Sequence, residues 1–288
     1  MKALLVAMWL WVLLWSSLCA AADPRVVSLS WEPTEHLLRL GITPIAVADA
    51  ASYREWVVRP ALPDRVPDVG TRVEPNMDMI AQLRPDLILI TPLLEDIRPR
   101  LERIAPVVVY GDFTQSEDNL QLQRRNFLDL ARRLGRQKQA QQQLAAMDGQ
   151  LSSLRQQLLA HYKGQLPKIS VLRFLSPTSV LIAGPNSMPD HAMQLLGLQR
   201  AYPVPVSRWG MTQKSVTSLG DIKEGTVLYL EPFPQRDRLF RTELWQQMPF
   251  VQRHRIATMG SVWTHGGLFC VEYLAEAISK ALLGLPTP

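Results

Sequence analysis

Five aromatic residues and one arginine are the side chains of this sequence best placed to do chemistry. Trp31, Tyr53, Trp56, Trp209 and Trp263 fall outside the periodic apolar runs, in connections between expected elements, with Arg72 among them. Residues 52–76 bring Tyr53, Trp56 and Arg72 into one Pro-rich stretch, and connections carried by a rigid scaffold are where binding side chains gather. Trp209 is followed by Gly210 and Trp263 stands three residues after Gly260, where a backbone without Cβ can approach a ligand closely. Arg72 lies between Gly70 and Glu74-Pro75-Asn76, so its guanidinium can present a fork to an oxygen-rich anion or dipole. The bland alternatives are that each tryptophan fills a core and that Arg72 pairs with Glu74 or Asp68. Taken together, aromatic walls and a cation describe recognition of a bulky ligand.

Signatures of bond-making chemistry are absent from the sequence. It contains no GxSxG elbow, no phosphate loop, no GxGxxG and no HExxH. Its histidines, His36, His161, His191, His254 and His265, include no i, i+4 pair, so neither a zinc site nor a haem site held by the protein is expected, nor any other cofactor. His191 and His265 are candidates to line a pocket.

Lys2 and an apolar run over 3–15, followed by Ser16-Ser17-Leu18-Cys19 and three alanines, read as a secretory signal peptide over 1–22, cleaved near Ala22. The run is shorter than the ~20 residues that span a bilayer. Acylation of Cys19 is disfavoured by the bulky Leu18 before it, where lipoprotein signals carry a small residue. The exported chain then keeps only Cys270 and must rely on an ordinary hydrophobic core, which its 47% hydrophobic content supplies. A formal charge of +5 is spread among acidic residues without a long basic run, arguing against a nucleic-acid partner and for a solvated surface or a small anionic ligand.

The elements that must position these residues alternate. A strand at 25–30, a turn at 31–33, a helix at 34–40 capped by Thr34 and closed by Gly41, and a strand at 42–47 open the pattern. It recurs as a helix at 76–83 opened by Asn76, a strand at 87–90, a helix at 97–104 and a strand at 107–109. Alternation of this kind predicts a parallel sheet with helices on its faces. From 121 to 159 Gly and Pro nearly vanish, and Gly135 divides two helices. The second, over 136–160, keeps Ala140, Leu144, Met147, Leu151, Leu154 and Leu158 at 3-4 spacing and is long enough to bridge two lobes. Strands at 169–174, 180–182 and 227–231, with helices at 190–196, 239–246 and 268–283, make a second lobe. The domain reading is therefore an N-terminal α/β lobe at 23–135, an interlobe helix at 136–160 and a C-terminal α/β lobe at 161–288.

The string Tyr53-Arg54-Glu55-Trp56, Pro60, Leu62-Pro63-Asp64, Asp68-Val69-Gly70 and Arg72 with Glu74-Pro75-Asn76 resembles the FhuD-like ferric hydroxamate siderophore-binding proteins. Ile104-Ala105-Pro106, Gly184-Pro185-Asn186-Ser187, Trp209-Gly210, Leu244-Trp245-Gln246, Met248-Pro249-Phe250-Val251 and Val262-Trp263 extend the likeness in collinear order over nearly the whole exported chain. The resemblance implies a class III periplasmic binding protein, with two Rossmann-like lobes of parallel-rich sheets joined by one long backbone helix. It also implies a monomer that carries an iron(III) hydroxamate siderophore in the periplasm to an inner-membrane ABC permease and its ATPase. In that family an arginine matching Arg72 contacts the hydroxamate oxygens around iron, and tryptophans matching Trp56, Trp209 and Trp263 line the apolar side of the cleft.

One departure stands out. Where a member of that family carries a ligand-contacting tyrosine in the loop after the 87–90 strand, this chain has Leu94, and the loop is rich in charge through Glu95, Asp96 and Arg98. The cargo is then open between a hydroxamate, a mixed carboxylate siderophore and another bulky chelate such as cobalamin or haem. A secreted enzyme that modifies the ferric chelate is the rival from a different class. Relatives dock on permease arginines through one acidic residue per lobe, for which Glu95 or Asp96 and Asp221 or Glu231 are candidates.

Overall fold

A computed structural model describes residues 23–111, 118–207 and 210–286. The expected signal peptide and Trp209 lie outside the described residues.

Val26, Val27 and Ser28 have no exposed surface, as in a strand covered on both faces. They form β1 (Val26–Ser28), which lies between β2 (Ala46–Val47) and β3 (Leu87–Ile90); β3 in turn pairs with β4 (Val107–Val109). All these pairings are parallel, giving the order β2-β1-β3-β4 with Val27 opposite Ala46 and Ile88. Helix α1 (Trp31–Arg39) follows β1, and α2 (Met77–Leu83) precedes β3 with the Asn76 side chain accepting the Met79 N–H at 3.0 Å.

Two local expectations are corrected here. The turn at 31–33 is the first turn of α1, where Pro33 is tolerated because first-turn N–H groups have no helical acceptor. Thr34 therefore sits inside the helix instead of capping it, and its hydroxyl donates to the Ser30 carbonyl at 2.6 Å. The helix expected at 97–104 is shorter: a 3-10 turn, Pro92–Ile97, runs into Arg98–Leu101.

Helix α3 (Asn119–Arg133) ends at a turn in which Gly135 takes φ +66°, and α4 (Gln137–His161) follows. At 1.5 Å per residue α4 is about 37 Å long. Its buried positions are Ala140, Leu144, Met147, Leu151, Leu154 and Leu158, the stripe read from the sequence.

The second sheet contains β5 (Lys168–Phe174), β6 (Ser179–Ala183), β7 (Gln199–Arg200), β8 (Met211–Ser215), β9 (Thr226–Leu230) and β10 (Ile256–Met259). Its order is β10-β9-β5-β6-β8, with β7 beside the start of β5. Strands β10, β9 and β5 run parallel, whereas β6 is antiparallel to β5 because the short 175–178 connection can join β5 only to an antiparallel neighbour, and β8 pairs antiparallel with β6. Helices α5 (Met188–Leu195) and α6 (Cys270–Leu283) pack on one another and on α4. The helix expected at 239–246 is divided into Arg236–Phe240 and Glu243–Gln246, the second capped by Thr242.

One apolar core runs through the molecule. It joins Val26 and Leu89 of the first sheet, the α4 stripe, Ile169 and Leu228 of the second sheet, and Leu274 and Ile278 of α6. The architecture is two α/β lobes with a long helix packed across both. The segments leaving the carboxyl ends of β1 and β10 meet at the junction, where Trp31 packs edge-on against Trp263 with ring centres 4.7 Å apart.

Candidate ligand-binding cleft

The first wall is built where β2 ends. Asp49 takes a left-handed φ of 53° and turns the chain into Ala50–Ser52, which continues as a π-turn, Tyr53–Val57. The expected loop around Trp56 is thus a helical turn, and a π-turn inside a helix often marks a functional position. Asp68 anchors both sides of this corner by accepting the Ala50 N–H at 2.8 Å and the Gly70 N–H at 2.9 Å. Gly70 has φ +98°, and a Cβ there would lie 2.9 Å from the Glu74 carbonyl oxygen, so the hairpin-like return of 70–75 requires glycine.

Arg72 stands at the tip of that return. Its backbone N–H and its Nε–H both donate to one oxygen of Asp49, at 3.1 and 3.0 Å, so its partner is neither Glu74 nor Asp68. The guanidinium lies over the Trp31 ring, Cζ 3.5 Å from the ring centre, and 6.0 Å from the Trp263 ring centre. Trp31 is 3% exposed and serves as the platform beneath Arg72.

Two expected site residues are corrected. Tyr53 is fully buried and donates its hydroxyl to the Pro60 carbonyl at 3.0 Å, so it supports the wall from behind and has no surface for a ligand. Leu94 is 1% exposed and belongs to the first-lobe core with Leu29, Ile90 and Leu101. Its neighbour Leu93 is 62% exposed, so in this loop Leu93 has the free surface.

The second wall is the 260–265 segment after β10. Trp263 and Trp56 are half-buried, each packed on the cluster of Trp31, Tyr53 and Val57. The Ser261 hydroxyl donates across the junction to the Glu55 carbonyl at 3.3 Å. A residue that the sequence reading missed joins this wall: Arg173 of β5 donates to the Val262 carbonyl at 3.1 Å, with its Cζ 5.6 Å from the Trp56 ring centre. The available signal was an arginine inside the otherwise apolar 169–174 run. Burial lowers the pKa of Arg173, and burial together with the Arg173 charge lowers His265 to about 4, so His265 is neutral at pH 7. His265 lies beside Trp263, whereas His191 bonds Asn186 at 3.2 Å in the second lobe.

Behind the aromatic residues, α1 grips the segment leading into α6. His36 Nε2 accepts the Leu268 N–H at 2.9 Å and Glu35 accepts the Phe269 N–H at 3.1 Å. Burial raises Glu35 to about 8 and lowers His36 to about 3, so at pH 7 both are predominantly neutral and their 3.9 Å approach is not an ion pair. Asn119 and Asn186 form a second cross-lobe link, at 2.8 and 2.9 Å. A separate cavity of about 840 Å³ lies between Arg59, β10 and α6, and its lining does not include Trp56, Arg72 or Trp263.

The junction therefore presents donors and aromatic surface. Two guanidinium groups meet it, and the buried indole N–H groups of Trp31 and Trp263 have no acceptor among the described residues. No group of three or more His, Cys, Asp or Glu among the described residues could hold a metal ion. Such a surface suits an oxygen-rich ligand with an apolar scaffold whose metal, if it has one, is already coordinated.

Of the expected docking acids, Glu95 pairs with Arg98 at 3.0 Å, while Asp96 and Asp221 are exposed. Glu231 is engaged within the chain, accepting the Phe233 N–H at 2.6 Å and the Thr258 hydroxyl at 3.2 Å.

Two α/β lobes and a long helix packed across both define the class III fold of solute-binding proteins. The chain belongs to the periplasmic binding protein family, whose model matches residues 26–262. It is 32% identical to the iron(3+)-hydroxamate-binding protein FhuD of Escherichia coli (strain K12), an alignment covering 98% of this chain and 96% of that one. Its fold superposes with a TM-score of 0.89 on the crystal structure of the Fe3+-Desferal-bound siderophore-binding protein FhuD of Vibrio cholerae. That match has 39% identity and covers 92% of this chain and 100% of the other. The achromobactin-binding periplasmic protein of Dickeya dadantii (strain 3937) is 26% identical, covering 89% and 85% of the two chains.

Proposed function

We propose that this protein is a periplasmic carrier that captures an intact iron(III) hydroxamate siderophore between its lobes and hands it to an inner-membrane ABC importer. The observation that carries the proposal is Arg72, held by Asp49 and laid on Trp31 at the junction with Trp263. A ferric trihydroxamate has a saturated metal and presents outer oxygens and an organic scaffold. Arg72 orients the oxygens through charge-assisted hydrogen bonds, and Trp56 and Trp263 cover the scaffold at roughly 25 cal/mol per Å² of apolar area buried.

The lobes are proposed as residues 23–135 and 161–288 about the 136–160 helix, supported by the Gly135 turn and the packing of α4 on α3, α5 and α6. Among the described residues no helix is long and apolar enough to cross a membrane, and the relatives include periplasmic and lipoprotein binding proteins. Asp96 and Asp221 are the better candidates for permease docking, since Glu95 and Glu231 are engaged within the chain. The protein acts as a monomer and without catalysis.

The test is tryptophan quenching of the mature protein by ferrichrome, ferrioxamine, a ferric catecholate, haem and cobalamin, with recovery of the ligand afterwards. Saturable quenching by the hydroxamates and their recovery unaltered is the expected result. Saturation by haem or cobalamin alone, or a changed mass of the recovered chelate, would overturn the proposal.

A further inference from the structure

Arg72 and Arg173 bring unequal charge to the cleft. The Arg72 guanidinium is offset by Asp49 at 3.0 Å, so that pair is neutral in sum. Arg173 forms no ion pair among the described residues; it donates to the Val262 carbonyl and lies by the Trp56 ring. His265, close to it, is neutral at pH 7 and adds no charge. A guanidinium stays protonated even when partly buried, and holding such a charge without an anion costs free energy. Arg173 extends from β5 at the height of Leu230, at the carboxyl ends of parallel β5 and β9, where open α/β sheets place their ligands. Its guanidinium faces the first-lobe tryptophan across the junction, and a ligand seated on Trp56 lies within its reach.

We propose that Arg173 is a specificity-determining ligand contact that takes a carboxylate on the periphery of the chelate, so that the preferred cargo is an anionic ferric hydroxamate with free carboxylate groups. This rests on the carrier reading above. Arg72 then orients the hydroxamate oxygens, while Arg173 supplies the uncompensated positive charge. Trp56, which lies by Arg173, packs against the scaffold when the carboxylate takes the guanidinium.

The experiment uses aerobactin and arthrobactin, citrate-based dihydroxamates that differ by a carboxylate on each arm, as their ferric complexes. Binding to mature wild-type protein, Arg173→Gln, Arg173→Lys and Arg72→Gln is followed by tryptophan fluorescence, and folding by thermal melts. Wild type is expected to favour the carboxylated complex by about tenfold or more, the size of one charge-assisted hydrogen bond. Arg173→Gln weakens the carboxylated complex by at least about tenfold more than the other and so removes that preference, Arg173→Lys retains part of it, and Arg72→Gln weakens both. Equal wild-type affinity for the two complexes overturns the assignment of Arg173 and leaves the carrier reading standing. An equal loss for both in Arg173→Gln has the same consequence. Binding of neither complex, nor of ferrichrome, overturns the carrier reading and this inference together. If Arg173→Gln fails to fold, the wild-type preference and its retention in Arg173→Lys decide the matter.

Discussion

Arg72 and Asp49 are joined twice through a single carboxylate oxygen, which receives the arginine's backbone N–H at 3.1 Å and its Nε–H at 3.0 Å. Asp49 thereby fixes both the loop and the side chain, and the left-handed backbone at Asp49 sets the direction of that oxygen. Asp49→Gly keeps the backbone conformation at little steric cost while removing the carboxylate. It is expected to weaken a ferric trihydroxamate about tenfold, with an unfolding midpoint within a few degrees of wild type. Because the two residues act as a unit, Arg72→Gln combined with Asp49→Gly should bind little worse than Arg72→Gln alone; additive losses in fluorescence titrations would contradict the pairing.

The α1 grip on the second lobe makes stability depend on pH. Glu35 titrates at about 8 in the fold against 4.5 as its ordinary value, so between those values the folded protein keeps a proton that the unfolded chain has lost. Its contribution is fully present below about 4.5 and is lost as pH rises to about 8. His36, lowered from 6.5 to about 3, acts oppositely: its contribution is present above 6.5 and is lost as pH falls towards 3. Melts from pH 3 to 9 should show a maximum, and Glu35→Gln should flatten the decline between about 5 and 8. An unchanged decline in the variant would show that Glu35 is not its source.

At Gly267 the second lobe lies directly against α1. A Cβ there would stand 2.3 Å from Glu35 Oε2 and 2.7 Å from His36 Nε2, side chains held by their own bonds to Leu268 and Phe269. Gly267→Ala is expected to cost about 1–3 kcal/mol, read as a lowered denaturation midpoint. It should also weaken ligand binding, because Trp263 is carried on the same segment. A midpoint equal to wild type would mean that the grip yields freely.

Helix α4 offers the opposite case. Gly149 is exposed, in mid-helix, with nothing within 4 Å of an added Cβ. Gly149→Ala should stabilise the protein by about 0.5–1 kcal/mol in urea unfolding and leave siderophore affinity unchanged. A loss of affinity would show that bending of α4 takes part in binding.

Much of this architecture is legible in the sequence where the signal is local and repeated. The α4 stripe from Ala140 to Leu158 keeps one period for about five turns, and Asn76 caps α2 by its own side chain. What escapes is decided by distant packing. Tyr53 and Leu94 look like loop residues, yet the π-turn and the 3-10 turn rotate them into the interior. Arg173 sits in an apolar strand and reads as a sheet residue, because only the folded junction brings Val262 and Trp56 to it. Leu93 and Leu94 cannot be told apart by type, and a single residue of register decides which one is exposed. Arg72 was recognisable from its neighbours, but its partner Asp49 lies 23 positions away and was not.

The most direct measurement is a crystal structure of the mature protein with a bound ferric trihydroxamate. The chelate is expected between the lobes, with its hydroxamate oxygens within hydrogen-bond distance of the Arg72 guanidinium, its scaffold against Trp56 and Trp263, and the Asp49 contact kept. A chelate seated elsewhere, or an Arg72 that leaves the ligand untouched while remaining on Asp49 and Trp31, would contradict the account.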